Sequence, residues 1–381
     1  MKRIRHSGFT IIELLVVVSI IALLVGILLP AIGKARDQAK VSISQSNLRN
    51  LAVAHASYAA EWSDRQLTYI VDNASTYGNF GNWFSEYATE HGSDLSWNHA
   101  GNHTPVYLGW GHTDAGDYVR FMYSCVQAAN ASLVMPIVFE ASGTTTEYFG
   151  SFRLPNGEQF AQYVSGKFYD KTFYAPKDKA VMQSAAACFE SPDDYCTHAD
   201  VSEELGAIPA WASYCLSPAA MYNPSVMAHD DPNDDTNNGW QDPWNLPAGF
   251  RSPAMSQARY PNLKTHMLEH HWLQNAQQDC NGSFEPGTYS GCEPYYFNHA
   301  WESSPMTLFY DGHVEGLGTR KAMRADGRMR AQTGEQNWGL WSKDTPWGDD
   351  GYLIDFGYDQ AATSYHILTT DGILGRDMTG G

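Results

Sequence analysis

Residues 9–32 read FTIIELLVVVSIIALLVGILLPAI, an apolar run whose single ionisable side chain is Glu13. As a helix rising about 1.5 Å per residue, the run spans ~36 Å, enough to cross a hydrocarbon core of ~30 Å. The residues before it, MKRIRHSG, carry Lys2, Arg3 and Arg5. A short basic flank stays in the cytoplasm, which sends the chain after Ile32 to the other side. The expectation is a single pass through the inner membrane, with a head in the periplasm or on the cell surface. A secretory signal peptide has a shorter apolar core and a small-residue cleavage site before a polar stretch, neither of which is seen here. Glu13 breaks the apolar pattern. A carboxylate at the helix centre costs roughly 2.5–3.5 kcal/mol on insertion scales, less near the interface. A plain anchor has no use for it, whereas a carboxylate beside a newly exposed N-terminal amine has a counter-ion.

Gly8-Phe9-Thr10-Ile11-Ile12-Glu13 resembles the cleavage and methylation motif of type IV prepilins and of type II secretion pseudopilins. The resemblance implies a cut between Gly8 and Phe9 by a prepilin peptidase, and N-methylation of Phe9. It makes Glu13 the fifth mature residue, paired during assembly with the N-terminal amine of a neighbouring subunit. Pro30 matches a proline of many such helices, where the missing hydrogen bond permits a kink. The implied partners are the peptidase, identical or related pilin subunits, and the inner membrane.

Past Gly33 the chain turns polar without a turn signal. Leu48, Leu51, His55, Tyr58 and Trp62 recur at steps of three and four, the spacing of one helical face. The helix is therefore expected to run to about Trp62, with residues 33–64 as an amphipathic continuation and His55 as a core-edge histidine making one hydrogen bond. Asn47-Leu48-Arg49-Asn50-Leu51 with His55 and Tyr58 resembles the same helix in prepilin-like proteins of the planctomycete-type group. These carry a C-terminal H-X9-DG motif and often a cysteine where this chain has Ser46.

The chain has 381 residues, 43% of them apolar, and a net charge of -18. That composition supports a folded core and argues against nucleic acid as a partner, which needs clustered Lys and Arg. The pattern predicts an α+β fold: the long helix packed on an antiparallel sheet, with large loop insertions in a head of residues 65–381. A subdomain at about 68–259 is expected within the head. Stretches 132–138, 265–271, 305–310 and 313–317 read as short strands. The six cysteines allow fifteen pairings. Outside the cytoplasm, Cys188 with Cys196 and Cys280 with Cys292 would close short loops, leaving Cys125 with Cys215.

In residues 306–314, MTLFYDGHV, Asp311-Gly312 between apolar runs signals a tight hairpin. Eleven residues separate His299 from Asp311, two more than in the H-X9-DG motif. Three further patterns admit other functions. His266, Glu269 and His270 fit H-x-x-E-H, a zinc-peptidase pattern that needs a helix, although the residues also alternate as a strand does. Asp230, Asp231, Asp234 and Asp235 crowd one loop and suit a structural calcium. Twelve tryptophans and 22 tyrosines suit a glycan- or surface-binding adhesin head. The main expectation is a filament subunit with no catalytic residues and no cofactor beyond that calcium.

Overall fold

The computed structural model describes residues 10–79, 82–83, 86, 106–112, 116–123, 151–196, 212–229, 241–270, 303–334, 339–341 and 365–380. The fold is α+β. Helix α1, Ile11–Glu61, is continuous over 51 residues, roughly 77 Å at the standard rise. Its two halves differ. From Ile11 to Ile32 the large apolar side chains are exposed. From Ser44 onward one face is buried: Ser44, Asn47, Leu48, Leu51, Ala54, His55, Tyr58 and Ala59. These fall at helical spacing, so a single stripe faces the head. Trp62 departs from the expected stripe. It caps the helix at 49% exposure, stacks on Tyr58, and donates Nε1–H to Tyr163 Oη at 3.0 Å. The chain turns immediately afterwards through Ser63 and Asp64, both at positive φ.

The buried stripe lies on a four-stranded antiparallel sheet of order β3-β4-β5-β6. The strands are β3 (Tyr214–Leu216), β4 (Thr265–Glu269), β5 (Met306–Phe309) and β6 (Val314–Gly316). Every residue of β3, β4 and β5 is buried, because α1 covers one face and the C-terminal segment 365–380 is tied to the other. Helix α2 (Glu158–Val164) also packs on α1. A separate antiparallel hairpin, β1 (Val106–His112) with β2 (Tyr118–Tyr123), stands beside α2. Other helices of the head include a short α3 (Lys179–Ser184) and a longer α4 (Thr319–Thr333). The side chains of Leu48, Leu51, Phe160, Phe173, Tyr214, Met267 and Leu308 belong to one apolar cluster.

Cys188 and Cys196 are joined by a disulfide across a sequence separation of 8. Cys215 is a thiol rather than half of a bridge. It sits inside β3, where its Sγ faces Leu268 O at 3.5 Å and His366 Nε2 at 3.8 Å, and burial pushes its pKa up to about 12. Cys125, Cys280 and Cys292 lie outside the described residues, as does the strand expected at 132–138.

Candidate assembly site

Thr10 occupies the N-cap of α1 in extended conformation and closes a capping box with Glu13. Glu13 N–H donates to Thr10 Oγ1 at 3.3 Å, while Thr10 N–H and Oγ1–H both donate to Glu13 Oε2 at 2.8 Å. Two backbone donors that a helix start leaves open are thereby satisfied. In a single chain the carboxylate is thus held against its own helix. Further along, Ser19 Oγ–H donates back to Leu15 O at 2.7 Å, which keeps the hydroxyl satisfied in an apolar setting. Pro30 lies inside the helix and supplies no N–H to the carbonyl of Gly26. A Cβ on Gly26 would meet nothing within 4 Å, so backbone is open to a neighbour there. Among the described residues α1 is the helix long and apolar enough to cross a membrane. Its bare apolar surface needs lipid or other helices to cover it. Gly8 and Phe9 lie outside the described residues.

The outer half of α1 is locked to the head by buried polar side chains that helical periodicity did not single out. Ser44 Oγ–H donates to Glu269 Oε1 at 2.6 Å, and Ser44 Oγ lies 2.9 Å from Tyr214 Oη. Asn47 Nδ2 donates to the carbonyls of Tyr174 and Lys171 at 3.1 and 3.2 Å. Glu269 Oε2 accepts Met306 N–H at 2.9 Å. Burial pushes the Glu269 carboxyl up to about 7; Asp178 pushes the same way, while Ser44, the Met306 N–H and Lys177 oppose it. The visible signal was a single acid, Glu269, in a stretch, 265–271, read as a short strand.

A pH-dependent stability follows. Glu269 titrates near 4.5 when unfolded and near 7 when folded. The unfolded chain therefore loses its proton first, and folding stability falls as pH rises from about 4.5 through about 7. At about 1.4 kcal/mol per unit this is at most ~3–4 kcal/mol. Glu269→Gln stays neutral, and its amide can donate to Ser44 Oγ while its oxygen accepts Met306 N–H. Melting curves are expected to show the variant gaining on the parent between pH 5 and pH 8; an unchanged difference across that range contradicts the assignment.

The H-x-x-E-H residues do not lie on the helix that the zinc-peptidase pattern needs. His266, Glu269 and His270 lie in or just after β4, not on a helix. A register shift falls between Thr265 and Met267, and the His266 ring packs against His55 of α1 with centroids 4.7 Å apart. All three side chains are buried, and Glu269 is spent on Ser44 and Met306. Among the described residues no group of three His, Cys, Asp or Glu is placed to hold a metal. The expectation for His55 is corrected. It is fully buried, neither ring nitrogen has a hydrogen-bond partner among the described residues, and it packs as an aromatic against Phe160 at 4.2 Å. Burial and the neighbouring His266 hold it well below the usual histidine range.

Asp311 and Gly312 form the β5–β6 turn. Gly312 has φ +86, and Asp311 Oδ1 accepts His313 N–H at 3.1 Å. His313 stacks on Phe309 at 4.2 Å. Turn chemistry accounts for both residues. His299, and the calcium candidates Asp230, Asp231, Asp234 and Asp235, lie outside the described residues.

The family described as the prokaryotic N-terminal methylation motif matches residues 3–29. The chain is also similar to the type II secretion system core protein G of Pseudomonas aeruginosa, 39% identical over 54 residues. That alignment covers 14% of this chain and 38% of the relative, so the chain spans well under half the length of the protein it matches. No solved structure gives a significant match. The chain is thus prepilin-like at its N-terminus, with a methylation motif at residues 3–29 that takes in the start of an apolar helix long enough to cross a membrane.

Proposed function

We propose that the chain is a structural subunit of a type IV pilus-like or type II secretion pseudopilus-like filament. In this reading residues 1–8 are a leader, removed by a prepilin peptidase that also methylates Phe9. Residues 9–32 first anchor the subunit in the inner membrane and then bundle with the same segment of neighbouring subunits. Residues 33–64 carry the head, residues 65–381, outward into the periplasm or onto the surface. The subunit performs no chemistry of its own. The observation that carries the proposal is the pairing of a fully apolar, uncovered helix with one carboxylate near its start, Glu13. Lipid alone rewards the first and penalises the second, whereas a bundle of helices with exposed amines accommodates both. The test is a shear fraction from the native host, in which the chain is expected to sediment as a filament. Its confinement to the detergent-soluble membrane fraction, under conditions where the host's filaments form, contradicts the proposal.

A further inference from the structure

The β1–β2 hairpin has two unlike faces. Gly109 and Gly111 seat its inner face against the head. A Cβ on Gly109 would lie 2.5 Å from the Phe168 ring, and one on Gly111 2.0 Å from Tyr195 O. Leu108 and Val119 are buried, and Tyr195 N–H donates to Trp110 O at 2.6 Å. The hairpin is therefore pressed closely onto its support. The outer face carries two ladder rungs, Trp110 opposite Arg120 and His112 opposite Tyr118. Trp110 is 43% and Tyr118 56% exposed, although large aromatic rings normally bury most of their surface. Their rings stack on each other, 18° apart with centroids 5.8 Å apart; Arg120 Cζ lies over the Trp110 ring at 6.0 Å from its centroid, and His112 lies 4.9 Å from Tyr118.

A polar rim drawn from two other elements surrounds these rings. Arg120 Nε and Nη2 donate to the two carboxylate oxygens of Glu158, at the start of α2, both at 2.9 Å. His112 Nδ1 lies 3.0 Å from Asp194 Oδ2, within the loop closed by the Cys188–Cys196 disulfide. Each basic group is thus matched by a carboxylate, in a chain of net charge -18. Among the described residues the rim has no surplus positive charge for an anionic ligand, yet it offers paired donors and acceptors beside the stacked rings. That complements a neutral polyol with one C–H face, which stacks on aromatic rings while its hydroxyls bridge donors and acceptors.

We propose that this face binds a neutral saccharide, one pyranose ring lying against the solvent side of the Trp110–Tyr118 stack, with hydroxyls donating to Glu158 or Asp194 and accepting from Arg120 or His112. The site stands on the hairpin and its rim alone, so an unassembled chain binds as well as an assembled one. The test uses the full chain in a detergent without a sugar headgroup, titrated calorimetrically with maltohexaose, cellohexaose and chitohexaose. At least one is expected to bind. Trp110→Ala and Tyr118→Ala should each weaken that binding tenfold or more with melting temperatures close to the parent's. Gly111→Ala, which strikes backbone beneath the hairpin, should also weaken it. Failure of the parent to bind any of the three, retention of binding by Trp110→Ala, or binding confined to a polyanion such as alginate overturns the proposal. So does a loss of self-association in Trp110→Ala with no effect on sugar, which makes the face a contact between copies.

Discussion

Asp377→Ala is expected to destabilise the head by about 3–5 kcal/mol, the scale for breaking a buried ion pair from one side. The Asp377 and Lys264 side chains are both fully buried and 2.8 Å apart. Asp377 Oδ2 also accepts Thr265 N–H at 3.0 Å and Thr265 Oγ1–H at 2.6 Å. Its Oδ1 accepts His366 N–H and Thr369 Oγ1–H, each at 2.6 Å. Lys264 Nζ spends its other donors on Ser217 Oγ and Thr369 Oγ1 at 2.9 and 2.8 Å. One carboxylate thus ties β4 to the C-terminal segment and holds His366, at φ +72, in a left-handed conformation. Its removal leaves a buried ammonium without a counter-ion. The loss is large against the 5–15 kcal/mol that typically holds a domain together. Thermal or denaturant unfolding reads it directly. The double variant Lys264→Met with Asp377→Leu should recover much of the loss, since it removes the orphaned charge as well. A single variant within about 1 kcal/mol of the parent contradicts this account. The pH dependence has the opposite sign to that of Glu269. Lys264 and the hydrogen bonds hold Asp377 down at about 2, so its contribution is complete above about pH 4 and is lost as pH falls through about 2.

Glu13→Ala is expected to abolish filament formation while leaving the chain in the membrane. The structure adds a second role to the one the assembly reading demands, because Glu13 also caps α1 through Thr10. Alanine removes both roles. Glu13→Gln separates them, since glutamine completes a capping box but cannot neutralise an amine. If charge pairing between subunits drives assembly, both variants should lose tenfold or more of the sheared filament. If Glu13→Gln assembles like the parent, the carboxylate matters as a helix cap and the charge argument fails.

The parts legible in the sequence were those set by local periodicity. The apolar run and the three- and four-residue steps gave α1 to within a residue of its end. Alternation and the Asp-Gly turn located β4, β5 and β6. A separation of 8 made Cys188 and Cys196 geometrically ready partners. What stayed hidden depends on residues far apart in the chain. Lys264 and Asp377 are joined across 113 positions, and Ser44 reaches Glu269 across 225. Neither pair has a local signature. The β1–β2 hairpin was missed because glycines occupy inner positions where alternation would show apolar side chains. Trp62 misled because helical spacing continues into a cap where the head no longer covers it. His55 was credited with a hydrogen bond, yet the chain uses it as a neutral ring.

The central claim concerns the first residues of the mature chain. Intact-mass and N-terminal peptide mass spectrometry of the protein, extracted from membranes of a peptidase-competent host, tests it. The chain should begin at Phe9 and carry one methyl group on its amine; a chain that still begins at Met1 and is unmethylated contradicts it.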